Sequence, residues 1–370
     1  MNFDYTDDQK ALKDEARKFL AAVAPITVAR GVLEAPDMGY DAALWARISE
    51  QGWCGAAIPE EYGGLGLGYV ELCALAEELG RAVAPVPFAS SVYLFAEALL
   101  VAGAEAQKAA LLPQISSGEL IGTLAVSEGP GTLSAARIAT KFENGRLTGT
   151  KLPVIDGMAA NHAVVLAQEG LFLVDLTGPG VNREMVSTID PTRGAARITF
   201  DQAPAEPLAP GNGHEQLARV QDRAAILLAF EALGGADRAL EMARDYALER
   251  YAFGRPIGSY QAIKHKLADG FVRNEVARAN AYYGAWALSS DAPELPVAAA
   301  AARVSASAAY ALAAKENIQT HGGIGFTWEA DCHFFYRRAK HLGLILGAPR
   351  DWKRRLADRL VVRLAAEEAA

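Results

Sequence analysis

Between about Glu119 and Pro207 the apolar residues of this chain recur at every second position, and on both sides of that stretch they recur at helical spacing. A period that changes twice in this way calls for a sheet-forming segment between two sets of helices. From Thr6 to about Ser116 the pattern is helical: Leu12, Ala16, Phe19, Leu20 and Val23 fall at roughly i, i+4, i+7, and Thr6 is placed to cap the first helix. The glycine-rich PEEYGGLGLG of residues 59–68 interrupts the pattern. YVELCALAEELG then ends at Gly80 in the manner of a glycine C-cap. In the middle stretch, ARIATKFENGRLTGTKL centres on the hairpin dipeptide Asn144-Gly145, and HAVVLAQEGLFLVDL repeats the idea around Glu169-Gly170. The Pro- and Gly-rich APAEPLAPGNG, 203–213, leads into long helical patterns broken near 253–260, 289–296 and 322–328. The expected organisation is a helical domain over 1–118, a β domain over 119–208 and a helical domain over 209–370.

Composition narrows the function classes. At 370 residues the chain exceeds the ~100–200 residues of a typical single domain. Its net charge of −8 gives no basic footprint for a nucleic acid. The N-terminal MNFDYTDDQK is acidic where a signal peptide is basic and apolar, and the small-residue stretch from Val297 is broken by Arg303, Ser305 and Ser307, so a buried helix is expected there rather than a membrane span. Cys54, Cys73 and Cys332 are far apart and odd in number, which fits a reducing cytoplasm and neither a disulfide framework nor a zinc site. His265, His321, His333 and His341 lack the neighbouring acids or cysteines of a metal site, and no metal is expected.

Four stretches carry a more specific message. LWARISEQGWCGAAIPEEYGGLGLGYVELCALAEELGRA contains I-P-E-x-Y-G-G-x-G after a Gly-Trp pair. YALERYAFGRPIGSYQAIKHKLAD contains R-x-x-F-G-x-x-I-x-x-x-Q, NIQTHGGIGFTWE contains Q-x-x-G-G-x-G, and FFYRRAK is similar to an R-D-A-K/R run. On these motifs, in this order and over nearly the whole length, the chain resembles the acyl-CoA dehydrogenase family of flavoproteins. The resemblance implies an α+β, mainly α fold with an N-terminal helical domain, a middle β-barrel-like domain and a C-terminal four-helix bundle, assembled as a dimer or tetramer. The residues themselves suit a dinucleotide: Gly322, Gly323 and Gly325 allow close backbone approach, Arg250 presents a forked cation, and Phe253 offers a flat apolar face. The resemblance implies that Arg250, Phe253, Gln261, Gln319, Gly322 and Gly323 grip the AMP half of FAD from a neighbouring subunit, and that Val126 and Ser127 contact the flavin from the middle domain.

The chemistry implied is removal of an α hydrogen as a proton while the β hydrogen leaves as hydride to the flavin, which demands a carboxylate base near the substrate. In most of the family that base is the glutamate of Y-E-G-T after the R-D-A-R run. Laid on YRRAKHLGLILGAP without gaps, it falls on Leu346. The alternative family position, ten residues before a glycine matching Gly234, is Ala224. Asp222 lies about 200° around the helix from Ala224, and Glu231 is nearly in line but ~10 Å further along. Glu231 is therefore the one candidate base, with an ion pair to Arg238 as its structural alternative. The ring-facing W-I-T/S-N strand of the family corresponds to PVID, 153–156, which puts Pro153 and Ile155 in place of the aromatic cover and the hydroxyl.

Two functions are expected from this pattern. The first is FAD-dependent α,β-dehydrogenation of an acyl-CoA, with electrons passed to an electron-transfer flavoprotein. The alternative is a non-catalytic or half-site subunit of a heterotetramer, donating the AMP-side contacts to a partner that bears the base. Heteromeric members acting on steroid side-chain and dicarboxylic thioesters resemble this chain in V-x-D-G and HGGIGFTWE.

Overall fold

The computed structural model describes residues 5–35, 39–133 and 135–368. Along the chain run α1 (Asp7–Val23), α2 (Ile26–Glu34), α3 (Ala42–Glu50), α4 (Tyr69–Arg81), α5 (Glu97–Ala102), α6 (Glu105–Ser116), α7 (Gly213–Glu249), α8 (Gln261–Ser289), α9 (Leu295–His321), α10 (Cys332–Leu344) and α11 (Pro349–Glu368). The strands of the two larger sheets all fall between α6 and α7. Packing divides the chain into two compact units: Met1–Ile26 with Cys73–Ala84 and Ala225–Ala370, and Thr27–Leu72 with Pro85–Ala224. The N-terminal helical stretch is therefore shared out, with α1 and most of α4 joining the C-terminal helices.

Local chemistry explains how the first unit begins. Thr6 and Gln9 form a reciprocal capping box, with the Gln9 amide donating to Thr6 Oγ1 at 3.3 Å and the Thr6 amide donating to Gln9 Oε1 at 2.9 Å. Gly80 is not a C-cap: it lies inside α4, where a Cβ would stand 1.8 Å from the Glu231 carbonyl oxygen of α7. Gly234 of α7 answers it, its own Cβ position being 1.7 Å from the Glu77 carbonyl oxygen. Two glycines thus let the α4 and α7 backbones touch. Beside this crossing the buried Glu77 accepts from Lys13 of α1 at 2.6 Å and from Arg278 of α8 at 2.7 Å, and Arg278 also pairs with Asp237 of α7. Burial alone would raise the Glu77 pKa, but these two cations hold it below the usual carboxylate range. The alanine-rich α9 is long and apolar enough to cross a membrane, yet just over half of its most apolar window is buried within this chain, where it packs on α8, α10 and α11.

The second unit holds most of α2, α3, α5, α6, the wide-turned helix Ala89–Ala96, the strands of the two larger sheets and the first turns of α7. One sheet has the order β1 (Gly122–Ala125), β4 (His162–Ala167), β5 (Gly170–Asp175), β8 (Glu206–Pro207), with β1 parallel to β4 from the pair Gly122–His162. The other has the order β2 (Lys141–Glu143), β3 (Arg146–Ile155), β7 (Ala195–Pro204), β6 (Val181–Val186). Asn144 and Gly145, both at positive φ, close the β2–β3 hairpin as a two-residue turn. In the β4–β5 hairpin Ala167 pairs with Gly170, so the turn residues are Gln168 and Glu169, one position earlier than the sequence pattern suggests.

Candidate active site

The AMP-side residues named from the sequence collect at one end of the helical unit. After α7, a two-residue hairpin pairs β9 (Tyr251–Ala252) with β10 (Arg255–Pro256), and its turn is Phe253-Gly254, with φ of +52° and +78°. An aromatic residue at positive φ is a strained choice, and the 98% exposure of Phe253 shows that no core contact within this chain repays it. The hairpin is braced from below: the Ile257 amide donates to Arg250 O at 2.8 Å, Tyr260 Oη donates to Ala252 O at 2.9 Å, and Arg255 lies over the Tyr260 ring at 4.1 Å. Arg250 and Gln261 are exposed on either side of it.

The second element of this rim is the end of α9. Gly322 takes φ +63°, and a Cβ on Gly322 or Gly323 would meet no atom of this chain, so both backbones face open space. Gly325 differs: it is buried, and its Cβ would stand 2.5 Å from Ile318 O, so it serves the turn itself rather than a ligand. Gln319 is exposed beside them. Tyr246 of α7 and His321 of α9 stack at 4.2 Å, and the Arg250 amide donates to Tyr246 O at 2.8 Å, which ties the two elements to a common rim. Tyr251, Ile324, Phe326 and Trp328 add exposed apolar surface there.

Val126 and Ser127 follow β1 in the other unit and are half-buried. Ser127 O accepts from the Leu152 amide at 2.8 Å, and Ser127 Oγ donates to Gly129 O at 3.1 Å. The next residue, Glu128, turns inward. It accepts from the Ala139 amide at 2.6 Å, the Thr140 amide at 3.0 Å, Thr140 Oγ1 at 2.7 Å and the wholly buried Lys151 Nζ at 2.7 Å. Partial burial opposes ionisation, yet these donors bring Glu128 down to about 2. Of the PVID strand, Pro153 is exposed and Ile155 half-buried, while Asp156 is buried, accepting from Ser90 Oγ at 2.7 Å with Arg193 Nε 3.7 Å away.

The base positions are packed with hydrocarbon. Leu346 is 7% exposed, its carbonyl accepting from Trp352 Nε1 at 3.0 Å, and Ala224 is fully buried. Glu231 is buried too, and its partner is Arg338, 3.5 Å away, rather than Arg238, which pairs with Glu241 at 3.5 Å. Arg338 is itself wholly buried, reaches Ala84 O at 3.3 Å, and occupies the second position of the R-R-A-K run, where the resembled motif has aspartate. A second buried arginine, Arg303 of α9, donates to Leu342 O. Burial pushes its guanidinium down to about 10, although Glu231 pulls the other way. The doubled arginine of YRRAK is the sequence signal for this cluster, and only its buried partner identifies what Glu231 does for the fold.

Family models place these features. The acyl-CoA dehydrogenase N-terminal domain matches residues 6–119 and the acyl-CoA dehydrogenase C-terminal domain matches residues 211–360, so the chain belongs to the acyl-CoA dehydrogenase family. Members are oxidoreductases acting on CH–CH groups, and FAD is the family's cofactor. Acyl-CoA dehydrogenase IpdE2 of Mycobacterium tuberculosis is 35% identical over 95% of this chain and 96% of its own length. Acyl-CoA dehydrogenase FadE34 of the same organism is 34% identical over 95% of this chain, which spans 48% of that longer protein. Among solved structures, a variant of the Tcur3481-Tcur3483 steroid ACAD matches with a TM-score of 0.88 and 33% identity, covering 97% of this chain and 99% of that one. The ChsE4-ChsE5 complex from Mycobacterium tuberculosis matches with a TM-score of 0.87 and 27% identity, covering 98% and 99%.

Proposed function

We propose that this chain takes part in the FAD-dependent α,β-dehydrogenation of an acyl-CoA thioester, with electrons passed to an electron-transfer flavoprotein, as the subunit that supplies the nucleotide side of a site whose base comes from a related chain. One contrast carries the reading: the AMP-side rim is open and strained outward, while both usual base positions are buried hydrocarbon and the nearby Glu231 is ion-paired. The donor set of the rim fits the cofactor. Arg250 offers a fork for a pyrophosphate, Gln261 and Gln319 offer amides for ribose or adenine edges, the Gly322-Gly323 backbone admits close approach, and Phe253 offers a face for the adenosine.

A bound flavin would supply the acceptor for the hydride that leaves the β carbon. The chain's part is to orient the cofactor from this rim and, through Val126 and Ser127, from the end of β1. A leucine at position 346, where the resembled motif has glutamate, is apolar and suits a bulky acyl group such as a steroid-derived one. Two of the similar structures are named for pairs of chains, which supports a heteromeric assembly. Cys54, Cys73 and Cys332 are buried thiols outside any disulfide, which agrees with a cytoplasmic setting.

The test is to purify the chain alone and together with a co-expressed related chain, record the flavin absorption, and add acyl-CoA thioesters anaerobically. A colourless chain that gains flavin and substrate-dependent bleaching only with its partner is expected. Bleaching by the chain alone sinks the shared-site reading, and Glu231→Gln then decides whether Glu231 is the base.

A further inference from the structure

The helical unit holds a second concavity that the dehydrogenation reading does not use. Between α1, the end of α4, the second half of α7 and the start of α10 lies a cleft of about 440 Å³, within the ~300–1,000 Å³ range of small-ligand sites. All of its described lining residues belong to the first unit. Neither the residues of the AMP-side rim nor Ala224, Glu231 and Leu346 are among them, and Arg238, which is, lies ~18 Å back along α7 from Arg250.

The cleft combines apolar surface with cations. Leu20, Ala24, Met242 and Phe335 supply hydrocarbon and a thioether, while Arg17, Arg81 and Arg238 supply three guanidinium groups. Each guanidinium is held by a carboxylate: Arg17 Nε and Nη2 donate to Glu78 at 2.9 and 2.8 Å, Arg81 Nη2 donates to Glu241, and Arg238 Nη1 donates to the same Glu241 at 3.5 Å. Because Arg81 and Arg238 share Glu241, their forks converge. Among the described residues, Nη1 of Arg17, Nη1 of Arg81 and Nη2 of Arg238 donate to no protein group. Held, half-used forks beside apolar surface suit a carboxylate carrying a hydrocarbon body. Glu78 and Asp331 also line the cleft and oppose a multiply charged group such as a phosphate ester, which selects a single charge.

We propose that this cleft is a second ligand site of the chain, for an amphipathic monocarboxylate with a compact apolar body. The carboxylate takes the unused donors of Arg81 and Arg238, and the apolar body lies on Met242 and Phe335, where the unbranched methionine adapts to its shape. The site stands on the cleft and its arginines and is independent of the shared-flavin reading.

The experiment is calorimetric titration of the purified protein, in the assembly in which it is isolated, with adamantane carboxylate and, as the uncharged control, adamantane carboxamide. Saturable binding of the carboxylate with a Kd of about 1 mM or tighter is expected, and the carboxamide should bind at least about tenfold more weakly. Arg238→Gln should weaken the carboxylate at least about tenfold. Ala21 is an exposed residue of α1 that lines the cleft, so Ala21→Phe is expected to fold and to weaken binding by filling the space, which keeps the test decisive if Arg238→Gln does not fold. No saturable binding up to about 10 mM, equal binding of the carboxamide, or unchanged affinity in either folded variant overturns the site. Displacement of the carboxylate by FAD or by an acyl-CoA thioester also overturns it, because the titrated site is then the flavoprotein one. A failure of the isolated chain to bind flavin bears on the shared-site reading and leaves this titration intact.

Discussion

The rim at Phe253 and the position of Leu346 belong to the same helical unit and treat their side chains in opposite ways. At the rim a phenylalanine is held at positive φ and left almost wholly exposed, with two glycine backbones open beside it. Leu346 is itself buried, although Leu344 beside it is exposed, and Glu231 of α7 is paired with a buried arginine. Strain and exposure persist where something outside the chain can use them, whereas a site with no catalytic duty relaxes toward ordinary packing. On the proposed reading, the rim is the part of a dinucleotide site that another molecule completes, and positions 346 and 224 are where acid–base work has given way to packing.

Four measurements would break or sharpen that contrast. The largest effect is expected for Glu231→Leu, which removes the carboxylate that the buried Arg338 faces at 3.5 Å. A loss of about 3–5 kcal/mol in urea unfolding is expected, and a loss below about 1 kcal/mol would free Glu231 from its structural role. Next, Gly234→Ala drives a methyl into the Glu77 carbonyl of α4 and should cost about 2–3 kcal/mol by the same assay; a neutral result would mean that the helices separate without penalty.

Glu128 gives a smaller effect with a pH signature. Its folded pKa of about 2 lies below its ordinary value of 4.5, so its stabilisation is present above about pH 4.5 and is lost as pH falls through about 2. Glu128→Gln should cost on the order of 2 kcal/mol at neutral pH and progressively less as pH falls toward about 2, and parallel urea-midpoint curves for both proteins down to that pH would contradict this role of Glu128. The smallest stability effect belongs to Phe253→Ala, within about 0.5 kcal/mol of wild type. The same variant should lower flavin retention in the assembled protein, and unchanged retention would remove Phe253 from the cofactor site.

Local features are legible in the sequence because local rules govern them. The capping box at Thr6 and the I′-type hairpin at Asn144-Gly145 depend on residues three and one apart, and both are read directly from residue type and spacing. Gly80 reads as a C-cap because a terminal glycine and a glycine needed for a helix crossing look alike until the crossing partner, Gly234, is brought alongside. The partner of Glu231 is hidden for the same reason. Arg238 is seven residues away on the same helix, while the true partner is more than a hundred residues further on, in α10.

By itself the sequence determined the change of period, the hairpins, the family to which the chain belongs and the absence of a carboxylate at positions 346 and 224. Those are properties of residue order. Only the tertiary structure decided that α1 and most of α4 join the C-terminal helices, that Glu231 neutralises Arg338, that Phe253 points outward from a strained turn, and that Glu128 pairs with the buried Lys151. Each of these depends on which distant backbone comes close enough to share a hydrogen bond or exclude water, and that is set by packing rather than by neighbours in the chain.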